Sequence, residues 1–218
     1  MHEFSIDCRH CPRLARHLAQ VRKAHPDYYA LPVPPFGPVR ANLLIVGLAP
    51  GMHGANRTGR PFTGDFAGIL LYDTLHRYGF SSRPVSSSAT DGLRLNDCRI
   101  TNAVKCLPPA NRPLPDEVRR CNGYLAQEIA AMPEGAAILA LGLIAHDAVL
   151  KALELKRSAC RFRHGGMHVL PRGMALYDSY HCSRYNTQTR RLTPAMFHQV
   201  FSAIRDYLEG SRQRRRRA

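Results

Sequence analysis

Four apolar runs, at residues 42–48, 98–104, 136–142 and 174–180, read as buried strands, and stretches at 66–79, 115–131, 143–153 and 194–208 read as helices. This strand-helix alternation constrains the chain more than any other feature. Right-handed crossovers between successive strands give a mostly parallel sheet covered on both faces, with ligands bound outside the carboxyl ends of the strands. At 218 residues one domain is the expectation, and no internal repeat is visible. The proline- and serine-containing segment 81–94 is expected to be a mobile surface loop, and residues 211–218, with the arginine run 212–217, to be a disordered basic tail.

Function should therefore lie in the loops after the strands. The first, "GLAPGMHGANRTGRPFTGD" at 47–65, has glycines at 54 and 59 with P-loop spacing, but Arg60 and Pro61 replace the lysine and hydroxyl that a phosphate and magnesium need. The loop also ends on a carboxylate, Asp65, where an anion would otherwise meet a helix start. A nucleoside triphosphate site is excluded on these grounds. The second loop is "NAVKCLPPANRP" from Asn102, the third the short Gly142-Leu143, and the fourth "SYHCSRYNTQTRR" from Ser179. Converging on one rim, they gather Phe62, Asp65, Asn102, His181 and several arginines, a set suited to a polar ligand carried on a phosphate backbone.

The formal net charge of +15 points to a polyanion, nucleic acid first. All but four of the 31 basic residues are arginine, whose planar fork suits phosphate, although a GC-rich genome would produce the same bias. No stretch reaches the ~20 apolar residues of a membrane span, and the first five residues begin no signal peptide, so a cytoplasmic protein is expected. Seven cysteines without a secretion signal suggest metal ligation rather than disulfides. Cys8 and Cys11 form a two-residue-spaced pair, and Cys106 and Cys121 could complete a four-thiolate cage. Spacing leaves zinc, an iron-sulfur cluster and a redox pair open.

The loop at 47–65, the segment "TNAVKCLPPANRP" and the segment "HCSRYNTQTRRLTP" resemble the three signatures of the type B (family 5) uracil-DNA glycosylases, an iron-sulfur branch of that superfamily. The resemblance runs from about Cys8 to Leu208 and implies a three-layer α/β/α sandwich around a central four-stranded, mostly parallel sheet. It also implies a single catalytic domain over 1–210 and a structural [4Fe-4S] cluster on Cys8, Cys11, Cys106 and Cys121. The type A (family 4) branch usually carries a glutamate at the position of Leu48, so an apolar residue there favours type B. Two positions depart from the pattern: Cys182 stands where proline is usual, and Arg190 where glycine is usual.

By resemblance, the activity is hydrolysis of the N-glycosidic bond of uracil in DNA, beginning base excision repair on a flipped nucleotide. Phe62 stacks on the base, Asn102 reads its Watson-Crick edge through one amide donor and one acceptor, and His181 stabilises charge on the leaving base. Asp65 orients and deprotonates water, although a carboxylate at a helix start is more commonly an N-cap. Ala49, Gly51, His53, Asn56, Arg57, Arg60, Ser183, Arg184 and Asn186 complete the substrate-binding set. Lys105, the lysine nearest these loops, is expected to contact phosphate rather than attack the sugar, which predicts a monofunctional, monomeric glycosylase. The first motif offers no polar side chain before His53, so discrimination should be loose enough to admit deaminated purines such as hypoxanthine. The rival readings are a non-catalytic zinc-stabilised nucleic-acid-binding module and a type A, uracil-specific enzyme.

Overall fold

The computed structural model describes residues 4–217, so the start of the chain considered for a signal peptide falls partly outside it. Strands β1 (Leu43–Gly47), β2 (Cys98–Asn102) and β3 (Ala137–Leu141) lie within three of the expected runs. A short β4 (Met167–Val169) precedes β5 (Ala175–Ser179), which occupies the fourth. The order is β2-β1-β3-β5-β4, with every pairing parallel except the antiparallel β4 and β5. The expected four-stranded sheet is thus corrected to five. β4 has three residues and exposes Met167 and Val169, so it carries no apolar run; pairing with β5 alone makes it a strand.

Among the described residues seven α-helices flank the sheet or lie in its loops: α1 (Pro12–Ala24), α2 (Ala55–Thr58), α3 (Phe66–Arg77), α4 (Pro115–Ala130), α5 (Leu143–Ala152), α6 (Arg184–Gln188) and α7 (Pro194–Arg217). Leu43, Ile45, Leu139 and Tyr177 pack with residues of α3 and α7, whereas Leu44, Val46, Ile138 and Leu176 pack with residues of α4 and α5. Alternate side chains of each strand therefore meet a helical layer on either face. That is why these strands read as unbroken apolar runs rather than as an alternating pattern.

α1 was not among the expected helices. Pro12 at its first turn is pre-set for helix, and Leu14, Leu18 and Val21 recur at helical spacing and are buried. Its position carries Cys8 and Cys11 to the loop after β2. At the other end, the stretch expected to be disordered from residue 211 continues α7 through Arg217. Ser211 is buried, the Arg212 guanidinium pairs with Asp97, and Arg215 donates to Asn42 Oδ1 at 3.0 Å and to the Glu134 carbonyl at 2.6 Å. The cations thus find acceptors at the amino ends of the strands, and cations at a helix carboxyl end are favoured by its dipole.

The segment 81–94 is also tied down. Asp91 accepts backbone N–H groups from Ser87, Ser88 and Leu93, and Arg60 bridges to it at 2.7 Å.

Candidate active site at the carboxyl edge of the sheet

The loops that follow β1, β2 and β5 enclose a cavity of about 310 Å³ lined by Ala49, Gly51, Phe62, Asp65, Asn102, His181 and Ser183, together with Leu48, Ala55, Ala67 and Asn111. Seven of the sequence-expected residues thus converge. A second, more open groove of about 1070 Å³ shares Gly51, Asp65 and Asn111 with it and adds His53, Phe66, Ile69 and Arg184. Asp65 stands at the junction of the two.

Asp65 is the N-cap of α3: its Oδ1 accepts the Gly68 N–H at 2.9 Å. The cap uses one oxygen and leaves the other toward the glycines of the first loop. A β-carbon on Gly54 would lie 2.4 Å from Asp65 Oδ2, and one on Gly51 would lie 3.7 Å away. Burial raises the Asp65 pKa above its ordinary value, against the opposing hydrogen bonds from Gly68 and Ala67.

Phe62 is buried and takes φ +54, a left-handed conformation that is strained for a residue with a side chain. Neighbouring glycines make room for it. A β-carbon on Gly68 would lie 1.9 Å from the Phe62 carbonyl oxygen, and one on Gly47 would meet the ring at 2.6 Å. The ring stacks on His181 with centroids 5.8 Å apart and an interplanar angle of 28°. Desolvation pushes the His181 pKa down to about 4, so the imidazole is neutral at physiological pH. Asn186 donates to the His181 carbonyl at 2.8 Å, which gives it a positioning part behind the cavity wall.

Asn102 ends β2 at the cavity, and its Oδ1 is buried with no hydrogen-bond partner among the described residues. An unpaired buried acceptor costs about 1–3 kcal/mol, which an incoming N–H would recover.

Three expectations are corrected by burial. Arg60 does not reach the rim: it is 5% exposed, pairs with Asp91 and lies 4.3 Å over the Phe36 ring, because the 81–94 segment supplies its counter-charge. Asn56 is fully buried in α2, with its amide directed to the Met52 carbonyl, and does not line the cavity. Lys105 is buried against Glu128 Oε1 at 2.6 Å, so it contacts no phosphate and offers no free amine to a sugar. Arg57 remains exposed, and Arg184 lies over the Phe66 ring at 5.2 Å.

The two departures in the last loop also take definite form. Arg190 adopts φ +55, the conformation for which glycine is suited, and Cys182 is buried with its thiol pushed up to about 12 by burial and by the Asp65 charge. Sequence reasoning missed Asn111, exposed at φ +55 and lining both cavities; its one signal was asparagine's tolerance of the left-handed region. It also missed the support beneath His181. Buried Asp178 receives His146 Nδ1 at 2.7 Å and His168 Nε2 at 3.1 Å, while the Tyr180 N–H donates to His164 Nδ1 at 3.2 Å.

Cys8, Cys11, Cys106 and Cys121 line a separate narrow cavity with Leu14, Val104 and Lys105. Sulfur acceptors there receive the Tyr124 hydroxyl (Cys8 Sγ, 3.3 Å) and the Lys105 N–H (Cys121 Sγ, 3.3 Å). Burial raises the pKa of Cys106 and Cys121, and that of Cys11 to about 11, as free thiols; neighbouring cysteines push Cys11 and Cys106 further.

A parallel sheet with a carboxylate, an unpaired amide oxygen, a neutral imidazole and an aromatic wall at its carboxyl edge defines an α/β protein built to enclose a small planar polar group. The family model described as the uracil DNA glycosylase superfamily matches residues 34–205. The type-5 uracil-DNA glycosylase of Thermus thermophilus is 48% identical over 88% of this chain and 90% of its own. That of Pyrobaculum aerophilum is 42% identical over 86% and 83%, whereas the type-4 enzyme of the same organism is 36% identical over 70% and 64%. The chain belongs to the uracil-DNA glycosylase superfamily, on its type-5 branch.

Proposed function

We propose that the protein hydrolyses the N-glycosidic bond of uracil in DNA and leaves an abasic site. The observation that carries this reading is that Asn102, whose Oδ1 is buried and unpartnered among the described residues, lines the same cavity as Asp65 and His181. A uracil N3–H would satisfy that acceptor while the base stacks against Phe62. Neutral His181 would donate to the carbonyl on which negative charge grows as the bond breaks, and Asp65 would take a proton from water as cationic character grows on the sugar. With the base in the smaller cavity, the larger groove offers water a path to Asp65. Arg57 and Arg184 are available to phosphates at the rim. Lys105, the lysine nearest these loops, is held by Glu128 rather than free to attack the sugar, which favours a monofunctional enzyme.

The four thiols, gathered in one cavity where the Cys8 and Cys121 sulfurs accept from Tyr124 and Lys105, form an all-thiolate set of the kind that holds a [4Fe-4S] cluster. Bound there, the cluster would tie α1, the loop after β2 and α4 together as a structural cross-link. No helix is long and apolar enough to cross a membrane among the described residues, in keeping with a cytoplasmic location.

On the first loop's side the cavity presents Leu48, Ala49 and Gly51, with no polar side chain and with room beside the base, so we expect hypoxanthine, which shares a carbonyl beside a ring N–H, to be accepted with uracil. The test is single-turnover cleavage of end-labelled duplexes carrying uracil, hypoxanthine, xanthine or thymine, with alkali treatment to reveal abasic sites. Release of uracil and hypoxanthine but not thymine is expected. No release of uracil by folded protein refutes the reading, and release of uracil alone refutes the open-cavity argument.

A further inference from the structure

The carboxyl edge of the sheet does not use the chain's most concentrated charge. α7 ends in Arg212-Gln213-Arg214-Arg215-Arg216-Arg217, and its contacts place it at the other end of the strands. Arg212 pairs with Asp97, just before β2; Arg215 reaches Asn42, just before β1, and Glu134, just before β3; Tyr207 donates to Gly173, just before β5. All four parallel strands therefore begin at this pole and end at the edge that carries the cavity. Strands of five residues span about 13 Å before the loops are added, so the whole sheet lies between the two.

The pole is basic. Arg40 and Arg214 are exposed there, Arg172 stands at the amino end of β5, and the backbone helix continues through Arg216 and Arg217. The acids in the same region, Asp97, Glu134, Asp206 and Glu209, are outnumbered by the arginines, and Asp97 and Glu209 are already paired with Arg212 and Arg205.

We infer that this pole is a second surface for duplex nucleic acid, so that one molecule holds a second DNA segment while its cavity engages the first. Arginine forks match phosphate oxygens in pairs, and a run of them on one helix meets a uniformly charged backbone without sequence preference. One duplex cannot serve both poles. DNA is stiff over ~150 base pairs, so a segment lying across the carboxyl edge does not fold back around the sheet. The inference rests on the proposed glycosylase reading, which supplies the first segment.

The test uses full-length protein and two uracil-free duplexes, one biotinylated on beads and one fluorescent, with protein loaded before the second is added. Wild-type protein should retain the fluorescent duplex. The triple variant R214Q, R216Q and R217Q should lose that retention, and the slope of log retention against log salt should fall by roughly three. The variant should release uracil at saturation within about twofold of wild type. Failure of wild type to capture the second duplex, or capture that survives the substitutions, overturns the inference. So does capture by complexes whose mass shows two protein chains, or a pole that binds polyglutamate in place of duplex. Uracil release in the same preparations reports separately on the glycosylase reading.

Discussion

Replacing Gly54 with alanine puts the role of Asp65 under direct strain. The new β-carbon would lie 2.4 Å from Asp65 Oδ2, 2.6 Å from its Cβ and 2.8 Å from its Cγ. The first is about 1 Å short of van der Waals contact, so the carboxylate must move by roughly that amount. Moving the carboxylate loosens the 2.9 Å cap to Gly68, worth about 1 kcal/mol, and crowding adds a similar cost. Together these predict a Tm lower by roughly 4–8 °C. A 1 Å misplacement of a reacting group costs ~100-fold in rate. The assay is single-turnover uracil release by G54A, D65N and the double variant, with melting curves for each. If Gly54 acts through Asp65, the double variant should cleave no more slowly than D65N, a coupling of about 2.7 kcal/mol. A folded G54A protein that cleaves within ~3-fold of wild type would refute the argument.

The pH dependence follows from the same carboxylate. Because burial raises the Asp65 pKa, its base form is lost on acidification sooner than an ordinary carboxylate's, so the rate should rise with pH through a midpoint above the usual range. His181, at about 4, adds no limb near neutrality; a limb that survives in D65N would remove Asp65 from the water-activating role. A raised folded-state pKa favours folding below the unfolded pKa and loses that contribution as pH rises through the folded one. D65N, which keeps the cap, should therefore melt no lower than wild type at pH 7. Purified protein should be brown with absorbance near ~400 nm; C121S should lose iron and stability, whereas C98S and C160S should keep the colour, and a colourless wild-type protein with one zinc would refute the cluster. R190G should relieve left-handed strain of about 1–2 kcal/mol, less about 0.4–1 kcal/mol for glycine's unfolded-state entropy, a net of about 0–1.6 kcal/mol that raises Tm by up to roughly 6 °C; a lower Tm would show that Arg190 is not strained.

Period and apolarity alone determined the parallel sheet, because strands buried on both faces must be apolar throughout, and Leu43 to Gly47 is such a run. Connectivity then placed Asp65, Asn102 and His181 at one edge, since in a parallel sheet every strand delivers its following loop to the same side. Only tertiary structure decided which polar residues stay on the surface. Arg57 and Arg60 are indistinguishable three positions apart in the sequence, yet one is exposed and the other buried against Asp91, thirty-one residues away. Lys105 likewise meets Glu128 across the second strand's loop and α4, and the α7 arginines meet acceptors at strand ends from three other parts of the chain. A charge's environment is set by counter-charges distant in sequence, whereas periodicity is local. That difference explains why the sheet and the convergence of Asp65, Asn102 and His181 were legible and the fates of individual cations were not.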